Sequence, residues 1–101
     1  MGNGEKLTNE EFEKIESLVQ RAVNASNKKE AKPFIDRLSF MKNTLNMQPY
    51  KRIVFGELVS YTTAASGQVR DKQHWLNAVN QSLYKLQPFP GAVSYTHLRA
   101  H

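Results

Sequence analysis

The stretch from Ala64 to Leu76 constrains this chain most, because it has to close one helix and open the next. Gly67 directly follows the small-residue run Ala64-Ala65-Ser66. A glycine just past a helical pattern supplies the left-handed conformation in which the last carbonyls find partners. Asp71 then suits the N-cap of a following helix, since its carboxylate can accept hydrogen bonds from the orphan amides of the first turn. Leu76, Val79, Leu83 and Leu86 continue at helical spacing. Arg70 and Lys72 flank the start of that helix, where free amides and the positive end of the dipole favour an anion. The corner therefore reads as a candidate anion site. The plainer alternative is that Asp71 only caps its own helix and the two cations are solvated surface charges.

Three earlier stretches also follow a helical period. Thr8-Asn9-Glu10-Glu11 is a capping box, and Phe12, Ile15, Val19 and Ala22 follow it on one face, which predicts a helix over about 9–25. The polar run Ser26-Asn27-Lys28-Lys29-Glu30 is expected to end it. Phe34, Leu38, Met41 and Leu45 form the next face, widened by Ile35. Pro33 is welcome at a first helical position, so the second helix is expected to start there; an earlier start at Asn27 and Glu30 would leave Pro33 as a kink. After a break at Asn46 to Pro49, Tyr50 opens a third segment in which Val54, Leu58, Tyr61 and Ala65 share a face thickened by Ile53, Phe55 and Val59. Its β-branched and aromatic residues also suit a strand, but the three-four spacing and the Ala-Ala-Ser-Gly ending favour a helix over 51–66. A helix apolar around so much of its circumference is central to a bundle or partly buried in an oligomer. Phe40, off the stripe of the second helix, points the same way, so Phe40, Phe55 and Val59 are the expected interface. Pro88-Phe89-Pro90-Gly91 ends the fourth helix. The fold expected is an all-α bundle of four helices, one domain over 1–92, in a homo-oligomer.

At 101 residues one core suffices without disulfides or metal. Cysteine is absent, which removes thiolate chemistry and fits a reducing cytoplasm. The first residues lack the apolar core of a signal peptide, Lys6 breaks the myristoylation pattern, and no run is long enough to span a membrane. Residues 1–16 carry two lysines against five glutamates, net −3; the remainder carries twelve cations against four acids, net +8. That asymmetry suits an acidic partner, nucleic acid or a phosphorylated ligand, and equally suits self-association or a merely solvated surface. For catalysis only His74 stands in the body of the chain, and Asp71 with His74 is too small a set for a metal. Gly2-Asn3-Gly4 lacks the lysine of a P-loop. No enzyme, metal or cofactor is expected. A DNA-binding reading takes the third helix, the Gly67 turn and the fourth helix as a helix-turn-helix, with Lys51, Arg52, Arg70 and Lys72 on phosphates. Against it, the early small residue is misplaced, and Gln73, His74, Asn77 and Asn80 include no base-reading arginine.

The last nine residues, Val93-Ser94-Tyr95-Thr96-His97-Leu98-Arg99-Ala100-His101, resemble the false carboxyl termini that arise when a metagenomic reading frame runs into adapter sequence. They are expected to be a loose, non-native tail on a gene from uncultured microbial or phage DNA. Gly67 to Leu76, with Trp75 and Gln81-Ser82-Leu83-Tyr84, is similar to stretches of small phage and prophage proteins. That resemblance implies an antagonist of bacterial defence: an oligomeric sponge for a cyclic or signalling nucleotide, or a blocker of a host defence protein. The residues add a corner where Gly67, Arg70, Lys72 and His74 meet an anion and Trp75 or Tyr61 stacks on a base. Trp75 equally suits the core beside Leu76 and Val79.

Overall fold

The computed structural model describes residues 7–87. The expected helix stop at Pro88-Phe89-Pro90-Gly91, the tail 93–101 and the Gly2-Asn3-Gly4 run lie outside the described residues. Among the described residues four helices follow one another: α1 (Asn9–Val23), α2 (Lys28–Thr44), α3 (Pro49–Ala65) and α4 (Lys72–Leu86). The fold is a small all-α bundle. α3 packs on α4, α1 on α2, and both α1 and α2 lean on α3.

α1 begins as its sequence dictates. The Thr8 hydroxyl accepts from the Glu11 amide and the Glu11 carboxylate from the Thr8 amide, both at 3.0 Å. Phe12, Ile15, Val19 and Ala22 are all buried. The helix stops at Val23, two residues before the expected end.

The start of α2 corrects the expectation. The helix opens at Lys28, not Pro33, because the Asn27 side chain caps it by accepting from the Glu30 amide at 2.8 Å. The Glu30 carboxylate reaches back to the Ser26 amide. Pro33 lies inside the helix, where it removes the amide that would reach the Lys29 carbonyl. That loss is offset by the cap and by the complete burial of Ala31 two residues earlier.

α3 is a helix despite its strand-like composition, with Pro49 at its first position. Tertiary burial decides the matter: fully burying a Val, Leu or Phe contributes roughly 1.5–3 kcal/mol, far above a propensity difference of a few tenths. Two assignments on this helix change. Phe55, expected at an interface, is 0% exposed and sits in the core with Val54, Leu58 and Ala65. Ile53, expected to thicken the buried face, is 64% exposed. Val59 and Tyr61 are half-buried against the core. On α4, Leu76, Val79, Leu83 and Leu86 are buried as their spacing requires.

Gly67 ends the α3 turn at φ +73°. A Cβ there would also lie 3.0 Å from Asn27 Cα and 3.1 Å from Lys28 N, so the turn packs directly on the start of α2. Glycine is required twice over, by conformation and by space.

Candidate functional site

The corner around Gly67 brings together the ends of all four helices, and two of its cations, Lys28 and Lys72, are engaged with backbone carbonyls. Lys72 donates its ammonium to the Val23 carbonyl at 2.5 Å and to the Gly67 carbonyl. Lys28 donates to the carbonyls of Thr63 at 2.7 Å and Ser66 at 3.2 Å. Burial lowers the Lys72 pKa from its ordinary value, and the neighbouring Lys28 lowers it further. Lys72, expected to meet a bound anion, is thus engaged with the C-terminal carbonyls of α1 and with the turn itself. Asp71 occupies the N-cap of α4, but its side chain makes no cap hydrogen bond, contrary to expectation.

The opposite end of the bundle uses the same device. Lys51 donates to the Lys85 and Gln87 carbonyls at 2.8 and 3.2 Å, closing α4. Arg52 donates to the Lys42 carbonyl and, at 3.0 Å, to the Leu45 carbonyl, closing α2. Burial also lowers the Lys51 pKa. Every helix therefore ends on a cation from another element: α1 on Lys72, α2 on Arg52, α3 on Lys28 and α4 on Lys51. All four cations sit at the start of their own helices, where the local dipole disfavours positive charge. Their energetic return is tertiary, through the orphan carbonyls they satisfy. This role was missed from sequence, although basic first turns in α3 and α4 without any acidic residue are a visible signal.

Of the remaining corner residues, Arg70 and His74 are exposed. Trp75 is half-buried against the core and stacks on Tyr61 at 6.2 Å between centroids, while His74 meets its ring edge-on at 4.9 Å. The structure thus brings Tyr61, Trp75 and His74 into one aromatic cluster. Gly67 is buried and acts on the backbone alone.

A second region was not singled out from sequence. Between α1 and α2 runs an open groove of about 450 Å³, walled by Glu11, Lys14 and Arg21 on one side and Arg37 and Thr44 on the other. Leu18, Phe40, Met41 and Leu45 give it an apolar lining. Phe40 is 60% exposed there. Among the described residues, Lys14, Arg21 and Arg37 enter no ion pair or hydrogen bond; the one salt bridge, Lys32 to Asp36 at 3.3 Å, lies elsewhere on α2. Lys14, Leu18 and Arg21 share one line of α1 at three-four spacing, which is the signal that could have found the groove. It was hidden because a line of cations beside one leucine reads as solvated surface.

No helix among the described residues is long and apolar enough to cross a membrane. No family model, no curated protein and no solved structure matches this chain.

Proposed function

We propose that this protein is a non-enzymatic binding protein that holds an anionic partner in the α1–α2 groove. In the setting implied by its resemblance to small phage proteins, that partner is a component of host defence. One observation carries the reading: three cations without partners line a groove with an apolar floor, while four cations elsewhere are engaged with backbone carbonyls. A site that joins apolar contact to a few convergent charges is the usual form of a specific binding surface.

A second reading rests on the aromatic cluster. Tyr61, Trp75 and His74, with Arg70 and the start of α4, which no side chain caps, nearby in sequence, suit stacking on a nucleotide-like ligand. The helix-turn-helix reading is favoured by no observation, since Lys51, Arg52 and Lys72 are engaged in capping.

Native mass spectrometry of protein recovered from bacterial cells with and without an active defence system separates the two sites. The parent should carry an added mass, the double variant Lys14→Glu/Arg37→Glu should emerge bare, and Arg70→Ala should behave as the parent. If Arg70→Ala alone loses the added mass, the aromatic corner is the site. A parent that emerges bare from both cells overturns both readings.

A further inference from the structure

We propose that the groove takes an acidic amphipathic helix of about three turns, supplied by a partner protein; this rests on the groove being the binding face. Its shape is the first argument. Glu11, Lys14, Leu18 and Arg21 on α1, and Arg37, Met41 and Thr44 on α2, recur at three-four spacing, so both walls run along their helix axes. The α1 wall is about 15 Å long at 1.5 Å per residue, which matches roughly ten residues of a third helix. Ridges at this spacing accept a helix crossing at about 20°, the packing of four-helix bundles. Among the described residues no helix covers it, because α4 packs chiefly on α3. Its two walls have the form of a seat for one further bundle helix.

Charge selects the occupant. Lys14, Arg21 and Arg37 face one carboxylate, Glu11, which already accepts from the Thr8 amide. A helix carrying Asp or Glu on both flanks would pair with the three cations, and a row of Leu, Met or Phe between the flanks would cover Phe40, Leu18 and Leu45. A second copy of this chain fits poorly. Groove-to-groove pairing would bring six cations together. The chain's own acidic helix, α1, has Phe12, Ile15 and Val19 buried and offers no apolar row to the floor.

The test uses the full chain, isotope-labelled, and a synthetic peptide of about 14 residues, long enough to be held helical by a side-chain staple. The peptide carries leucines at three-four spacing and glutamates on both flanks; its twin carries lysines in place of the glutamates. The acidic peptide should shift the amide signals of Leu18, Arg21, Phe40 and Thr44, and the basic twin should not. Lys14→Glu/Arg37→Glu should weaken the acidic peptide about tenfold or more while its melting temperature stays near that of the parent. Phe40→Ser should weaken it at unchanged charge. In parallel, adenosine monophosphate and phenyl phosphate are titrated alone. If these small anions shift the groove signals and the peptide does not, the helix proposal fails and the groove reading stands. If no probe shifts those signals, both fail. If the free chain doubles its mass and Phe40→Ser abolishes the doubling, the occupant is a second copy and the proposal is overturned.

Discussion

The Gly67 corner and the α1–α2 groove hold the same kinds of residue, lysine, arginine and an aromatic, and put them to opposite uses. At the corner, Lys28 and Lys72 donate to backbone carbonyls and hold the ends of α3 and α1. Along the groove, Lys14, Arg21 and Arg37 point outward with no partner. What separates them is the chain end beside them. A helix C-terminus presents unsatisfied carbonyls and a partial negative charge that draw a nearby cation inward, whereas the flank of a helix has all its carbonyls bonded and leaves the cation to solvent or to a partner. A net charge of +5 therefore overstates what is available to a ligand at one end and understates its concentration in the groove.

The sharpest way to break this contrast is at Gly67. Replacing it with alanine places a β-carbon against the Asn27 backbone and forces a non-glycine residue into the left-handed region. We expect a loss of about 2–3 kcal/mol in chemical denaturation, from left-handed strain of about 1–2 kcal/mol plus the clash. A loss below about 0.5 kcal/mol would mean that the corner is not the rigid junction described. The next largest effect belongs to the capping cations. Lys72→Met should cost about 1–2 kcal/mol, since it removes charge-assisted hydrogen bonds to Val23 and Gly67 from a side chain only partly shielded from water.

Groove cations should behave otherwise. Lys14→Met and Arg37→Met should each change stability by no more than about 0.5 kcal/mol, as surface substitutions do. Equal losses for Lys72→Met and Arg37→Met under the same denaturant would erase the distinction between the two regions.

The smallest expected effect is one of pH. The folded-state pKa of Lys72 lies below its ordinary value of 10.5. Between that folded value and 10.5 the unfolded chain binds more protons at this residue than the folded chain, so stability rises with pH through the window. The advantage of the parent over Lys72→Met should therefore widen slightly as pH climbs toward 10.5. Melting both proteins across the alkaline range checks it; a narrowing advantage would show that the fold prefers the charged ammonium.

Local pattern made part of this legible in advance. The stripes of α1 and α4 and the Thr8 capping box depend on residues three or four apart, and each appears in the structure as read. The turn at Gly67 was legible for the same reason, since a glycine after a helical run has a local cause. The start of α2 was misread because Pro33 is a strong local signal, while the cap at Asn27 and the burial of Ala31 draw on both local and distant contacts. Phe55 and Ile53 were exchanged because on a helix apolar around most of its circumference, periodicity does not say which side meets the neighbours.

The sequence by itself determined four helices, the breaks near Asn46 and Gly67 and the excess of positive charge. Tertiary structure decided where that charge goes. Lys28 finds its carbonyl 35 residues away, Lys51 34 residues away and Lys72 49 residues away. Helical periodicity reports only which residues share a face within a few turns, so no pattern along the chain marks a lysine as a cap for a distant helix. Which cations remained for a partner was settled only when the four helix ends had taken theirs.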